Sequence, residues 1–311
     1  EAPGMKGPAK GGFILLSVLL SVTVLLSAAT GLAWFARSEV RMTEERTFQL
    51  RARSAAFGAL KTAEALLAAR SEDYDSLAEA PYRPGSVKPL PPAGGLTVRL
   101  SLVPLDDRIP LGSLFLPDGF TVKKEFEGPW ERLFLLLGKP ELGPKLLDYM
   151  DGDTVPRMGG KEEDGYLNRP AEDLSQFLNC PGVDRKLLYG TKAVAGLRRF
   201  VTPFCGEKIN LNTVDPGVLA LLDERLGDRE AKALAALRMT APIKKVEDLK
   251  RIPGFPEDVL PRITNVVGVA SRYVSVRIQV RQGRLQRRFE AVLERSGTGP
   301  KASCTLVRWV E

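Results

Sequence analysis

The N-terminal part of the chain carries the strongest hydrophobic pattern. Residues 13–36 include no charged residue, and this run of 24 exceeds the roughly 20 residues that a helix needs to cross a hydrocarbon core. Residues 37–70 continue without a proline and with a single glycine, Gly58. An apolar stripe at helical spacing runs through this second segment: Leu50, Phe57, Leu60 and Leu67. The two segments predict one continuous helix, apolar all round in its first half and amphipathic in its second.

Alternating apolar and polar positions predict strands in two distant parts of the chain. Residues 96–103 alternate strictly, after a loop rich in proline and glycine at residues 71–95. Much later, residues 273–281 and 286–295 alternate on either side of a turn, and a last strand is predicted at residues 302–310. We expect the early strand and the later strands to share one sheet.

The segment between these strands is helical in pattern. Helices are expected at residues 130–137, 145–150, 218–226, 229–237 and 246–249. Because a structureless loop of this length is uncommon in a compact protein, the segment is expected to fold as an insertion in the sheet. The predicted fold class is α+β. A long N-terminal helix packs on a pilin-like antiparallel sheet from residues 71–112 and 269–311, and an all-α domain is inserted at residues 113–268.

Composition removes several classes of enzyme. The chain of 311 residues contains no histidine and three cysteines. It therefore has neither a Ser-His-Asp nor a Cys-His nucleophile system, and no histidine-based or four-cysteine zinc site. We expect a protein that is not an enzyme. The net charge of +7 permits binding to nucleic acid or to anionic lipid without requiring either.

The residues that flank the apolar run set its expected orientation. Lys6 and Lys10 precede it, and the positive-inside rule places the N-terminus in the cytoplasm and the bulk of the chain outside. An ordinary secretory signal, with a cleavage site at residues 27–29, and a simple membrane anchor are alternatives. Neither explains why the helical pattern continues past Ala36.

A short basic leader precedes the apolar run and ends in glycine, since residues 5–12 read MKGPAKGG. Leader and helix together resemble the type IV pilin and pseudopilin superfamily. The resemblance implies that a prepilin peptidase cuts after Gly12 on the cytoplasmic face, leaving Phe13 as the first residue of the mature chain, and it implies methylation. Residues 1–4 would then lie upstream of a start at Met5.

One position departs from the superfamily pattern. Members normally carry glutamate at the fifth mature position, which in this chain is Ser17. A carboxylate in lipid is costly unless it is paired, and in pilins its partner is thought to be the N-terminal amine of a neighbouring subunit. The minor pseudopilin K family of type II secretion systems characteristically lacks this glutamate.

Further segments resemble the same family, in the same order along the chain. They are LLDYMDGDTVPRMGGKEEDGYLNRP (146–170), INLNTVDPGVLALL (209–222), LKRIPGF (249–255) and a closing hairpin of SRYVSVRIQV with RRFEAVLER. The resemblance implies a non-enzymatic subunit at the tip of the pseudopilus, with minor pseudopilins I and J and other pseudopilins as partners. It implies a single-pass protein of the bacterial inner membrane, with a periplasmic bulk and no nucleic-acid partner.

An alternative function rests on two of these segments. INLNT before PGVLALL, and later RIPGF, are also similar to helix-hairpin-helix modules of membrane-anchored competence proteins, whose hairpins point backbone N–H groups at a DNA phosphate. Here Asp228 occupies the first hairpin, where an anion would have to approach, and Pro256 removes a donor from the second. Simple packing turns between helices are the other interpretation.

Six carboxylates cluster in the first of the family segments: Asp148, Asp151, Asp153, Glu162, Glu163 and Asp164. Charges this close repel one another unless they are solvated or gathered on a cation. Flexible, glycine-containing acidic loops suit calcium. The resemblance implies calcium, held by Asp151, Asp153 and Glu162, with Asp164 and Asn168 as further ligands. A solvated acidic surface and a glycosidase carboxylate pair are the alternatives.

The cysteines have one plausible pairing. Cys180 and Cys205 both fall in the inserted domain, and the expected topology puts that domain in an oxidising compartment. A disulfide between them would close a loop of about 25 residues and contribute roughly 3 kcal/mol. Cys304 would then be left unpaired. Connectivity cannot be deduced from sequence, so the other pairings stay open.

Overall fold

A computed structural model describes residues 10–70, 72–83, 90–93, 95–297 and 302–311. The part of the leader before residue 10, including Met5 and Lys6, lies outside these ranges. Within them there are seven α-helices: α1 (Lys10–Ala68), α2 (Lys124–Leu136), α3 (Leu142–Met150), α4 (Arg185–Tyr189), α5 (Pro216–Leu222), α6 (Asp228–Thr240) and α7 (Leu260–Ile263).

The same ranges contain nine strands. They are β1 (Leu90–Ala93), β2 (Leu96–Pro104), β3 (Ile109–Pro110), β4 (Val201–Thr202), β5 (Ile209–Asn210), β6 (Val267–Gly268), β7 (Tyr273–Gln282), β8 (Leu285–Ser296) and β9 (Ser303–Val310). Short 3-10 helices lie at Leu111–Ser113, Leu174–Asn179, Leu197–Arg199, Val246–Arg251 and Glu257–Val259. The mixture of a long apolar helix, an antiparallel sheet and a helical insertion confirms the predicted fold class.

Helix α1 is a single element of 59 residues. Its most apolar window has a mean hydropathy of 2.4 and is fully exposed, so by length and composition it could cross a membrane. The second half packs on the sheet through a face that is rich in alanine: Phe48, Ala52, Ala56, Ala59, Leu60, Ala63 and Leu67. The small side chains let the helix axis approach the strands closely.

The predicted stripe on this helix is half wrong. Leu60 and Leu67 are buried, but Leu50 is 73% exposed and Phe57 is 41% exposed. Phe57 instead stacks on Trp309 at the edge of the sheet, with ring centroids 4.7 Å apart. The stripe was drawn through large apolar residues, whereas the buried face is defined mainly by alanines.

The main sheet has the order β1-β2-β7-β8-β9, and every neighbouring pair is antiparallel. In β2 the even-numbered residues are buried against α1 and the odd-numbered ones face away, as alternation predicts. Strand β1 was expected to be loop, because two of its four residues are proline. Its position at the sheet edge is where proline is tolerated.

The insert, residues 113–268, leaves and rejoins the sheet at one end. Pro104 of β2 pairs with Val274 of β7 there, while Thr97 pairs with Arg281 at the other end, about 23 Å away. The insert has its own hydrophobic core, drawn from residues between Ile109 and Val267, and this core is separate from the one under the sheet. Two short parallel strand pairs, β3–β4 and β5–β6, accompany the expected helices; β3 lies before residue 113, so this unit begins a few residues earlier than expected.

A buried polar network joins the two cores. Asp75 follows α1 and is fully buried. Its carboxylate accepts hydrogen bonds from Tyr82 Oη at 2.7 Å and from the Ser271 amide at 2.7 Å. Two arginines complete the network: Arg295 Nη2 lies 2.6 Å from Asp75 Oδ2, and Arg70 Nε lies 3.3 Å from Oδ1. Helix, sheet and insert are therefore tied together at the end of the sheet where the insert is attached.

Candidate functional site

The acidic segment of the insert starts at the C-terminal end of α3. Asp148 lies in the last turn of this helix, and Asp151 directly follows it, where the backbone becomes extended. The loop then returns, so that carboxylate oxygens of Asp151, Asp153 and Glu162 all lie within 4.8 Å of one another. These are the three residues that the resemblance implied as principal ligands. Asp151 is buried, and the other two are partly buried.

Arg157 is the cation that the fold already supplies to this cluster. Its Nη2 lies 2.5 Å from Asp151 Oδ2, and its Nε lies 3.3 Å from Asp148 Oδ1. Its backbone N–H also donates to both oxygens of Asp148, at 3.3 and 3.2 Å. The guanidinium is partly exposed, at 26% of the side chain, and it donates a further hydrogen bond to the Phe120 carbonyl. Both oxygens of Asp148 therefore contact Arg157, whereas Asp151 contacts the arginine through Oδ2 alone.

Two carboxylate oxygens of the cluster have no partner. Asp151 Oδ1 and Glu162 Oε1 are both buried, and neither accepts a hydrogen bond. Burial raises the pKa of Asp151 to about 6, against the opposing effect of Arg157. Burial, followed by the neighbouring aspartates, also raises the pKa of Glu162. Burying an anion without partners is unfavourable, so the protein alone leaves this cluster short of positive charge.

The backbone around the cluster is shaped to fit it. A Cβ atom on Gly160 would lie 1.9 Å from Asp148 Oδ2, so no larger residue fits there without displacing the carboxylate. The Gly152 amide donates to the Gly119 carbonyl at 3.0 Å, and Asp153 Oδ1 accepts from the Val155 amide at 3.0 Å. The loop therefore presents the three carboxylates from a tightly held backbone.

The donor set fits a hard divalent cation. Calcium takes six to eight oxygen ligands, usually from carboxylates, carbonyls and water. Three converging carboxylates, two of them with a buried unpartnered oxygen, supply half of such a shell. Softer metals that prefer thiolate or imidazole find neither ligand in this cluster.

The two remaining residues of the expected ligand set lie differently. Asp164 is exposed and lies outside the group of three. Asn168 is exposed as well and takes a left-handed backbone with φ of 48°, from which its amide donates to the Tyr149 carbonyl at 3.2 Å. Sequence reasoning gave no role to Arg157, and it assigned Gly160 only to a bend of the loop. An arginine four residues after Asp153 was the available signal, because a cation inside an acidic run tends to pair with it.

The cysteines do not pair in this structure. Cys180 and Cys205 are both buried free thiols. Cys180 lies in an environment that includes Glu163 and Lys145, whereas Cys205 lies beside Asp106, with its Sγ 3.8 Å from the Lys208 carbonyl. The two thiols thus lie in different surroundings, and a disulfide between them stays a prediction. Burial raises the pKa of both thiols, to about 11 for Cys180.

The Asn-Leu-Asn-Thr segment faces inward. Asn210 Nδ2 donates to the Asp75 carbonyl at 3.0 Å and to Ser271 Oγ at 2.8 Å. Asn212 exchanges two hydrogen bonds with the backbone of Ile243, at 2.9 and 2.8 Å. Both side chains are fully used inside the protein, so this motif has a structural role.

Known proteins that resemble the chain point to one family. The sequence model of the family described as type II secretion system (T2SS), protein K matches residues 209–270. This region begins at the inward-facing motif and ends at β6. No curated protein sequence matches the chain. A solved structure, the GspK-GspI-GspJ complex from enterotoxigenic Escherichia coli, contains a chain with a similar fold.

The structural match spans nearly the whole molecule. It covers 88% of this chain and 98% of the other, with a TM-score of 0.59 and 18% sequence identity. At this identity the match speaks for the fold, and the family model adds the sequence signal. Residues 209–270 thus carry the sequence signal of the type II secretion protein K family, and the fold is similar to that of a chain in the solved complex. Neither comparison supports the DNA-binding alternative.

Proposed function

We propose that this chain is a protein K-type minor pseudopilin, and that it caps the pseudopilus, at its tip and as a single copy, in a complex with minor pseudopilins I and J. The observation that carries the proposal is the place of the insert. It is attached at the end of the sheet where α1 finishes, which is the end opposite to the membrane-spanning half of the helix. At about the size of a whole domain, the insert leaves no room for another subunit above it.

The apolar half of α1 supports the same position. Ser17 Oγ donates to the Ile14 carbonyl of its own helix at 2.9 Å, so this position offers no charge to the amine of a neighbouring subunit. A subunit without that charge fits where no such pairing is needed. The helix is proposed to anchor the protein in the inner membrane with its N-terminus cytoplasmic and its bulk periplasmic.

The acidic cluster is proposed to bind calcium through Asp151, Asp153 and Glu162. Their buried, unpartnered oxygens support this assignment. A calcium ion would supply the positive charge that Arg157 provides only in part. The chain's own contribution is to hold the end of α3 and the returning loop together, which would stiffen the surface of the insert.

Co-purification with I and J tests the tip assignment. The full chain is co-expressed with candidate I and J proteins and purified from membranes in mild detergent. We expect all three to elute together, and we expect a label on the insert to mark one end of each assembled pseudopilus. The Ser17→Glu variant is expected to mis-incorporate or to impair secretion. Label along the whole filament length would contradict the proposal.

Processing by prepilin peptidase is tested separately. Sequencing of the membrane-extracted protein is expected to begin at Phe13, following cleavage after Gly12. An N-terminus near Thr30 would mean an ordinary secretory signal. Methylation of the Phe13 amine is expected to add one methyl group to the mass of the mature chain.

A further inference from the structure

The hairpin between β7 and β8 carries an unusual concentration of positive charge. Residues 281–288 contain four arginines, and all four are exposed: Arg281, Arg284, Arg287 and Arg288. The nearest acidic residue after the turn is Glu290, and there is none between Tyr273 and the turn. The tip of the hairpin is therefore purely basic.

This hairpin tip lies beside α1 where the apolar run ends. A groove of about 390 Å³ is lined by Arg284 of the hairpin together with Ala36, Arg37, Val40, Arg41 and Glu44 of the helix. On the other side of the turn, Arg281 shares a second groove of about 360 Å³ with Arg99 of β2. We call Arg37, Arg41, Arg281 and Arg284 the arginine rim.

The charges of the rim are not neutralised inside the protein. Among the described residues, no carboxylate lies within ion-pair distance of any of its four arginines, and Arg281 Nε donates only to the Gly283 carbonyl, at 3.1 Å. Arginines farther along the same strand behave differently. Arg277 pairs with Glu290 at 3.5 Å, and Arg272 pairs with Glu294 at 2.5 Å. Unpaired arginine is thus concentrated at the end of the sheet next to the apolar helix.

The rim falls at the depth of the lipid headgroups if α1 spans a membrane, as proposed above. The apolar run of residues 13–36 is about 36 Å long as a helix, against a hydrocarbon core of roughly 30 Å. Ala36 would then lie in the interface, and the groove that contains it would face the phosphate layer. Guanidinium groups bind phosphate oxygens in pairs, and anionic lipids attract basic residues at this depth.

We infer that the arginine rim binds the phosphates of anionic lipid headgroups in the leaflet that faces the globular body. The helix fixes the depth of the protein in the membrane. The hairpin adds a second contact beside it, which would restrict rotation and tilt of the sheet and the insert above the membrane.

Lipid selectivity of the full chain tests the inference. Wild type and variants are reconstituted in nanodiscs containing phosphatidylcholine and phosphatidylglycerol at 70:30, released, and the lipids retained on each protein are counted by native mass spectrometry. We expect the wild type to retain phosphatidylglycerol preferentially. The triple variant Arg41→Gln, Arg281→Gln, Arg284→Gln should lower that preference roughly tenfold or more, given about fivefold per arginine near a membrane surface.

Two matched variants separate charge from general damage. Lysine at the same three positions keeps the charge and should retain most of the preference. Glutamine at Arg185, Arg229 and Arg251, which are exposed on the insert, removes the same charge elsewhere and should behave as wild type. Equal lipid preference in the wild type and the rim variant would overturn the inference.

Three further outcomes would show which part of the reasoning is wrong. A rim variant that keeps its lipid preference but no longer co-purifies with other pseudopilins would make the rim a protein contact and the lipid assignment wrong. Failure of the wild type to enter nanodiscs at all would instead contradict the proposed membrane anchor. If the wild type enters nanodiscs but retains both lipids equally, only the proposed lipid site at the arginine rim is contradicted.

Discussion

Asp75 and Asp151 are both fully buried aspartates that face arginine, but the protein completes the surroundings of only one of them. Asp75 has two arginines, a tyrosine hydroxyl and a backbone amide around its two oxygens. Asp151 has a single, partly exposed arginine on Oδ2, while Oδ1 has no partner, and Asp153 and Glu162 add further negative charge beside it.

The difference separates a structural carboxylate from the one that we propose binds a cation. A buried charge whose partners are all within the protein fixes the arrangement of the elements that supply them, here α1, β8 and the insert. A buried charge with an unpartnered oxygen leaves free energy to be gained from something outside the protein. The two aspartates should therefore respond oppositely to mutation and to calcium.

The largest effect is expected at the complete network. Asp75→Asn would leave Arg70 with Glu79 alone, 3.5 Å away, and would leave Arg295 without a counter-charge among the described residues; breaking a buried ion pair in this way costs about 3–5 kcal/mol. Denaturant unfolding of the full chain in detergent, followed by near-UV circular dichroism, measures this loss. Asp73→Asn is the matched control, because Asp73 is exposed two residues earlier. A loss as small as that of the control would mean that the network does not hold the two cores together.

Calcium should act on the incomplete cluster alone. At a calcium concentration a hundred times the dissociation constant, binding to the folded state adds about 2.7 kcal/mol to the free energy of unfolding. Asp151→Asn should abolish this gain, and Asp75→Asn should keep it. Thermal melting with calcium or with chelator measures both.

The exposed neighbour Asp164 sharpens this test. Because it lies outside the group of three carboxylates, Asp164→Asn should retain the calcium response. Loss of the response in that variant would extend the ligand set to Asp164. If neither calcium nor chelator changes the melting temperature of the wild type, the cluster is a solvated acidic loop.

The sequence allowed most of the fold to be predicted because its elements carry local signals. Strand β2 and the β7–β8 hairpin are half-buried, so their alternation is visible in the residues. Helices such as α2 and α6 bury one face and show helical spacing. The face of α1 was misassigned because alanine gives little signal until the strand against which it packs is known. Strand β1 was missed because its prolines are typical of loops.

The sequence allowed the carboxylates of the candidate site to be predicted, but not the arginine that pairs with them. Asp151, Asp153 and Glu162 stand out as an acidic run, and the resemblance singled them out. Which of their oxygens lack partners depends on how the loop returns across the end of α3, and spacing along the chain does not encode this. The pairing of Arg157 with Asp148 and Asp151 depends on the same return. The network at Asp75 was missed for a different reason, because its partners Ser271 and Arg295 lie about 200 residues away in sequence.

A third buried aspartate extends the comparison to pH. Asp106 accepts hydrogen bonds from the Gly206 and Tyr273 amides, at 2.6 and 2.9 Å, and among the described residues it has no arginine partner. Burial raises its pKa to about 6, above the unfolded value of 3.8. The folded state therefore binds this proton more tightly, and stability from Asp106 is lost as pH rises from about 4 to 6.

The expected size of this loss is about 2–3 kcal/mol, since each tenfold change in proton affinity is worth about 1.4 kcal/mol. Unfolding of wild type and Asp106→Asn between pH 4 and 7, in chelator, measures it. The acidic cluster titrates equally in both proteins and cancels in the difference. Parallel pH profiles for the two proteins would show that Asp106 is already ionised in the fold.

The smallest effect is expected at Arg157, whose replacement should lower stability in chelator and increase the response to calcium. In chelator, Arg157→Gln removes the cation that pairs with Asp148 and Asp151, and because the side chain is partly exposed the loss should be about 1 kcal/mol. In calcium, the same variant should show a larger stabilisation than wild type, since the guanidinium no longer competes for Asp151 Oδ2. Arg169→Gln, whose partner Glu172 is exposed, is the control and should change neither value. A smaller calcium response in Arg157→Gln would mean that the arginine positions the carboxylates for the metal, and that the two cations do not compete.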